Sequence, residues 1–266
     1  MHQAYWELPE NPFRAGEDDR WFFYSKTHEE ALVRLLYAAA ERPGVMLLLG
    51  APGAGKTMIL RMMRKGLEGK KFLLPTVVFP RLEPDFFLRE IARQLGLDPA
   101  GTTRLDTLRV LSGFFHEGGK ARQEMTVVLS VEDAQAIPDP AVFEDLRFLF
   151  NFAGGGPRLF IVLAGTPELE ARLKAVPSLQ SVVGIVSRIE PLDEEETRGY
   201  VEHRLATAGG RKDLFEAEAL REIHAMSGGN PRRINLICDT ALLVGSGDGA
   251  RVVTAALVRK AAAELP

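Results

Sequence analysis

Four short apolar runs punctuate the first two thirds of the chain: Val45–Leu49, Thr76–Phe79, Thr126–Val131 and Leu159–Ala164. Unbroken runs of this length predict strands buried on both faces, as in a parallel sheet. Helical periodicity fills the gaps between them, over Thr57–Leu67, Asp85–Leu95 and Ala141–Phe152. Strands alternating with helices predict an α/β fold with helices on both faces of the sheet. Ahead of the first strand, Thr27 with Glu30 reads as a capping box. It opens a helix that aligns Leu32, Leu35, Leu36 and Ala39.

After Pro191 the strand pattern stops. Asp193 with Glu196 opens a helix, and further helical stretches are expected at about 216–226, 231–245 and 254–264. This change places a boundary at 191, dividing a nucleotide-binding α/β core over 1–190 from a small all-helical domain over 191–266. The first two dozen residues carry Tyr5, Trp6, Phe13, Trp21, Phe22, Phe23 and Tyr24. That is too apolar for a disordered tail, so the segment is expected to pack on the main body, as core rather than as a base-stacking platform.

Between the first strand and its helix lies Gly50-Ala51-Pro52-Gly53-Ala54-Gly55-Lys56-Thr57, which satisfies G-x-x-x-x-G-K-[ST] at every defined position. Its glycines let the backbone curl until several N–H groups converge on phosphate oxygens, and the following helix adds its positive end. Lys56 is expected to reach the β- and γ-phosphates of a nucleoside triphosphate, ATP above all, and the Thr57 hydroxyl to coordinate Mg²⁺. Gly50, Pro52, Gly53, Ala54 and Gly55 complete the binding segment.

A hydrolysing site of this kind also needs one acid for the metal and another for the attacking water. The third apolar run ends in Glu132-Asp133, in the reverse of the usual Asp-Glu order. Glu132 is the metal-side acid, one methylene longer than usual, and Asp133 the water-side acid, one shorter. A misplacement of about 1 Å can slow a reaction about 100-fold, so nucleotide binding is expected and fast hydrolysis is not. A solvated acidic turn is the plainer alternative. Thr166, after the fourth run, either senses the γ-phosphate or N-caps the helix beginning at Pro167. Arg232 and Arg233, in Gly228-Gly229-Asn230-Pro231-Arg232-Arg233, either reach phosphate or pair on the surface with Asp239 or Glu222.

Bulk properties narrow the picture. At 266 residues, 46% hydrophobic and 26% charged, the chain has the make-up of a soluble globular protein. A net charge of -3 disfavours a protein that coats nucleic acid. The basic stretch of Arg61, Arg64, Lys65, Lys70 and Lys71 lacks interleaved aromatics and reads better as a solvated helix face. The single cysteine, Cys238, fits a reducing compartment. No apolar stretch approaches the ~20 residues that cross a bilayer, so a cytoplasmic location is expected, with any membrane attachment through a partner. His28, His116, His203 and His224 show no metal-ligand spacing.

Taken together, the residues resemble the AAA+ ATPases of the general secretion pathway protein A (ExeA) type, whose relatives include transposition ATPases of the TniB and MuB kind. Nearly the whole chain takes part. Asn11-Pro12-Phe13, Phe22-Phe23-Tyr24-Ser25 and His28-Glu29-Glu30-Ala31-Leu32 precede the loop. Ala134-Gln135, Phe143-Glu144-Asp145-Leu146-Arg147 and Leu163-Ala164-Gly165-Thr166-Pro167-Glu168-Leu169 follow it. The last third carries Tyr200-Val201-Glu202-His203-Arg204-Leu205 and Ser227-Gly228-Gly229-Asn230-Pro231-Arg232-Arg233-Ile234-Asn235.

The resemblance implies a P-loop AAA+ core with a helical lid, and assembly into a homo-oligomer or a mixed AAA+ ring. It also implies that Thr166 serves as sensor 1, Arg232 as sensor 2, and that the aromatic segment packs near the adenine. Where such proteins carry several arginines before the equivalent of Pro191, this chain keeps Arg188 alone, which weakens the case for a trans-acting finger. The sequence also ends short of the transmembrane helix and peptidoglycan-binding region of the full secretion proteins. Three functions follow: an ATPase that assembles or remodels a cell-envelope machine through protein partners, a slow or non-hydrolysing switch, and a DNA-binding transposition regulator. The charge balance disfavours the last.

Overall fold

In a computed structural model of the chain the described residues are 2–14, 16, 18–41, 44–69, 71–78, 80–99, 101, 103–116, 123–152 and 156–265. Lys70 and Phe79, singled out above, lie outside them. The chain divides into two compact units. A sheet unit comprises Glu29–Pro52 and Ile59–Ile189, and a helical unit comprises Met1–His28, Gly53–Met58 and Glu190–Pro266.

The sheet unit is built on β1 (Gly44–Gly50), β2 (Phe72–Leu73), β3 (Thr76–Val77), β4 (Thr126–Val131), β5 (Arg158–Gly165) and β6 (Val183–Ile189). All pairings are parallel, in the order β2-β4-β5-β1-β6, with β3 also on β4. Phe72 faces Thr126 and Thr76 faces Ser130, so β2 and β3 follow one register along β4. Between them, the Pro75 carbonyl still accepts from the Ser130 N–H at 2.9 Å, although Pro75 has no N–H of its own. β4 is buried along its whole length, which is why its sequence shows no polar alternation.

Strand alternation sends Val45, Leu47, Leu49, Val127, Leu129, Val131, Leu159, Ile161 and Leu163 into one core with Phe87, Ile91, Phe143 and Leu146. Met46, Leu48, Val128 and Val162 point to the opposite face and are buried as well, so both faces are covered.

Register sets what emerges at the carboxyl edge. Val131 is level with Leu163, and Leu163 with Leu47. Glu132 and Asp133 therefore leave β4 at the height of the last turns of the pleat in β1, just before Gly50.

Several expectations need correction. The helix over Lys26–Glu41 already contains Thr27, so the proposed Thr27–Glu30 capping box does not form. Ser25 takes over, its Oγ accepting from the His28 N–H at 3.5 Å, while the Lys26 N–H donates to Glu196 Oε1 at 2.9 Å. The helix Arg104–His116 and the strands β2 and β6 add to the predicted elements. β6 lies at the sheet edge, with Gly184 and Arg188 exposed and Val183, Ile185 and Val186 only partly buried.

In the helical unit, helices Glu194–Thr207, Ala217–Ser227, Pro231–Gly247 and Ala255–Ala263 share a core with the N-terminal segment. Asp193 and Glu196 form the expected reciprocal capping box. Trp6 donates from Nε1 to the Leu242 carbonyl at 2.8 Å, and Phe13 meets Phe215 edge-on at 5.9 Å. Arg204 binds the Pro12 carbonyl and, at 2.7 Å, the Arg14 carbonyl. Its guanidinium also lies 4.4 Å from the Trp21 ring centroid, with Arg20 at 4.7 Å from the same ring. The Asn11-Pro12-Phe13 segment is thereby clamped onto the helices, and Asn11 Nδ2 donates to Asp239 at 2.8 Å.

The Ser227–Arg233 turn shows how sequence dictates this unit. Gly228 ends one helix in the left-handed conformation, and Asn230 caps the next by accepting from the Arg232 and Arg233 N–H groups at 3.0 and 3.3 Å. Pro231 fits the first helical turn. Gly229, at φ 72°, passes so close to Leu192 that a Cβ would sit 2.0 Å from the Leu192 carbonyl oxygen. Gly229→Ala is therefore expected to destabilise the protein by about 3 kcal/mol, among the larger single-residue costs. Denaturant midpoints of the two proteins measure this, and an unchanged midpoint would contradict the close approach.

Candidate functional site

Two groups of predicted site residues emerge, one in each unit. In the sheet unit, Gly50 ends β1 and Pro52 follows it, Glu132 and Asp133 follow β4, and Thr166 follows β5, all at the carboxyl edge of a parallel sheet. Ligands of open parallel sheets bind at this edge. Glu132 is half-buried and anchored through its N–H to the Val77 carbonyl at 2.9 Å. Asp133 is exposed and adopts left-handed geometry at φ 47° and ψ 39°. Positive φ on a non-glycine residue is uncommon, although aspartate tolerates it better than most.

Asp133 and Thr166 are joined by a residue outside the predicted set. Gln135 donates from Nε2 to Asp133 Oδ1 at 3.2 Å and accepts on Oε1 from the Thr166 N–H at 3.1 Å. Gly165 leaves space for this amide, since a Cβ there would lie 2.6 Å from Gln135 Oε1. Arg172 fixes the Gln135 and Ile137 carbonyls from behind. The Thr166 hydroxyl donates to Glu168 rather than capping the helix Glu168–Leu173 through its oxygen. Arg188 pairs with Glu170 at 2.7 Å. In the basic stretch, Arg64 binds the Leu74 carbonyl at 2.9 Å and the Thr76 hydroxyl, which makes it a structural clamp.

In the helical unit, Gly53, Ala54 and Gly55 lead into Lys56 and Thr57, the first two residues of the helix Lys56–Leu67. Gly53 and Gly55 adopt φ values of 81° and 95°. A Cβ on Gly53 would lie 2.6 Å from Arg232 Cβ and 2.9 Å from Asn230 Oδ1. Arg232 Cδ is 3.3 Å from the same point, so its side chain runs along the loop. Asp239 and Glu222, the alternative partners considered for these arginines, bind Asn11 and Arg259.

On the other flank stands His28, a second residue outside the predicted set. Its Nε2 lies 2.8 Å from the Ala54 carbonyl oxygen and its Nδ1 lies 2.6 Å from Ser25 Oγ. A Cβ on Gly55 would come within 2.7 Å of Nε2. Burial lowers the His28 pKa from the usual imidazole value, opposed by its bond to Ala54 and by nearby Glu196. No sequence motif marks His28 or Gln135, because each also bonds a backbone group distant along the chain, the Ala54 carbonyl and the Thr166 N–H.

A glycine-rich segment carrying Lys-Thr at a helix start, directly after a strand of a parallel sheet, defines a P-loop nucleotide-binding fold. Residues 39–173 match the family model described as AAA domain, and the chain belongs to this family of AAA+ ATPases. It is 31% identical over 268 residues to General secretion pathway protein A of Aeromonas hydrophila, covering 100% of this chain and 48% of that protein. The chain thus spans about half the length of that relative.

Solved structures with the same fold include Cdc6p from Pyrobaculum aerophilum, with a TM-score of 0.73 at 20% identity, covering 96% of this chain and 70% of that one. The Drosophila ORC bound to DNA gives 0.71 at 20% identity over 97% and 64%. The Thermotoga maritima RuvB Holliday junction branch migration motor gives 0.61 at 19% identity over 94% and 72%. Among the described residues no helix is long and apolar enough to cross a membrane, and no group of three or more His, Cys, Asp or Glu side chains could hold a metal ion.

The buried histidines predict how stability varies with pH. His28 and His203 both have pKa values lowered by burial, so between those values and about 6.5 the unfolded chain binds more protons than the folded one. Their stabilisation is complete above about pH 6.5 and is lost as pH falls through the folded values. The melting temperature should drop between pH 7.5 and 5.5, and drop less in His28→Gln. Parallel pH profiles for the two proteins would contradict the assignment to His28.

Proposed function

We propose that the chain binds ATP with Mg²⁺ on residues 50–57 and turns it over slowly, using nucleotide state to assemble or remodel a cell-envelope secretion or export machine. The observation that carries this reading is the loop itself. Two positive-φ glycines admit no side chain, and a helix begins at Lys56 directly after them. Those are the features that cradle phosphate. The envelope role rests on the likeness to General secretion pathway protein A.

In this reading the N–H groups from Gly53 to Thr57 and the Lys56 ammonium hold the phosphates, while Thr57 and Glu132 hold magnesium. Magnesium, when bound, neutralises phosphate charge. Asp133 orients and deprotonates water, with Gln135 fixing its carboxylate. Thr166 reports on the γ-phosphate, and Arg232 adds positive charge from the helical region beginning at residue 191, which serves as a lid. The protein works in the cytoplasm as an oligomer with protein partners.

A second reading, a non-hydrolysing switch, is favoured by the Glu132-Asp133 order and by the engagement of Arg188 with Glu170 within its own chain. DNA binding, as in the Drosophila ORC bound to DNA, has the net charge of -3 against it.

Titration with ATP and magnesium tests the site. Lys56→Ala should weaken binding by about 100-fold or more, the cost of a lost charge-assisted contact. Steady-state phosphate release separates the two readings. The double exchange Glu132→Asp with Asp133→Glu should raise turnover about tenfold or more at unchanged ATP affinity. If the native order already supports the faster rate, the argument from side-chain length is wrong.

A further inference from the structure

We propose that His28 is a positioning residue for the phosphate loop, holding the Ala54 carbonyl so that the Gly55 N–H is aimed at bound phosphate. The inference rests on the phosphate-loop reading above. It begins with the hydrogen-bond inventory. A backbone carbonyl only accepts, so the 2.8 Å contact from Nε2 to Ala54 requires the proton on Nε2. In the neutral ring Nδ1 then accepts from the Ser25 hydroxyl at 2.6 Å. Both ring nitrogens are thus satisfied in one tautomer, and burial keeps the ring neutral.

The consequence lies in the next peptide bond. Ala54 C=O and Gly55 N–H belong to one planar trans unit, in which the two bonds point in opposite directions. Fastening the carbonyl to His28 turns the Gly55 N–H away from the imidazole. Gly55 has φ 95°, and a Cβ would meet Nε2 at 2.7 Å, so the ring sits where only glycine leaves room for it. An apolar side chain of equal bulk would fill the same space without fixing the direction of the peptide.

The ring is itself anchored. Ser25 lies one turn before it, and the Lys26 N–H is bound by Glu196, whose other oxygen accepts from the Asp193 N–H in the capping box of the helix Glu194–Thr207. Phe22 meets the imidazole edge-on at 6.1 Å. His28 thereby ties the loop to the start of the helical region.

The test combines variants with a measurement on the unliganded native protein. His28→Leu should weaken ATP and ADP binding about tenfold, the loss of one aligned donor to phosphate, while keeping most of the thermal stability. His28→Gln, which retains a terminal N–H at similar reach, should stay within about threefold of native. Equal losses in both variants, or none in His28→Leu, would overturn the proposal. Imidazole nitrogen shifts of the native protein should show the Nε2–H tautomer, and amide exchange at Gly55 should rise in His28→Leu but not in His28→Gln. An Nδ1–H tautomer, or unchanged exchange, would overturn it without reference to nucleotide or to the folding of any one variant. Failure of the native protein to bind ATP would instead overturn the phosphate-loop reading, and leaves the tautomer and exchange results to decide the role of His28 on the loop.

Discussion

The helical unit depends on how closely backbones approach one another at glycines. At Gly53 a single carbon would collide with Arg232 and Asn230, at Gly55 with His28, and at Gly229 with the Leu192 backbone. Packing of this density leaves little play, since interiors have few voids and each added methyl must displace something. Two of these contacts bear directly on the phosphate loop, which is met at Gly53 and at Gly55 by residues far away in sequence. The positive φ values at Gly53 and Gly55 are therefore maintained by neighbours as well as by the absence of a Cβ. A loop held in this way needs less reordering when a ligand arrives, which is the physical meaning of preorganisation.

The N-terminal segment contributes to the same end. Trp6, Leu8 and Phe13 are buried among the helices, and Arg204 spends its guanidinium on two carbonyls and an aromatic face. Burying an arginine this far lowers its pKa through desolvation, so the carbonyl and ring contacts are needed to offset the cost. These contacts lead the chain to Ser25 and His28, where it enters the first long helix. The aromatic residues that look like decoration in the sequence set the position of an imidazole.

What the sequence reveals follows from range. β4 spans Thr126–Val131 and one helix spans Ala141–Phe152, both as read from apolar pattern, because burial on both faces of a strand or one face of a helix leaves a local signature. The capping box of Asp193 and Glu196 is local and was readable too. Thr27 with Glu30 has the same signature and does not form one, since Ser25 and Glu196 satisfy the first turn instead. β6 is harder to read because Gly184, Ser187 and Arg188 interrupt its apolar residues. The loop motif is local too, and its Gly53 and Gly55 adopt positive φ. His28 and Gln135 were not legible, because each acts on a partner brought near only by folding.

The acidic turn shows where local chemistry and tertiary support meet. The longer acid, Glu132, comes first and the shorter, Asp133, second. Asp133 turns into left-handed geometry, which redirects a short side chain without lengthening it, and aspartate is among the few residues that accept that conformation readily. Gln135 then holds its carboxylate from one side while gripping the Thr166 N–H with the other end of the same amide. Asp133, Gln135 and the Thr166 N–H are therefore one hydrogen-bonded arrangement at the carboxyl edge of the sheet.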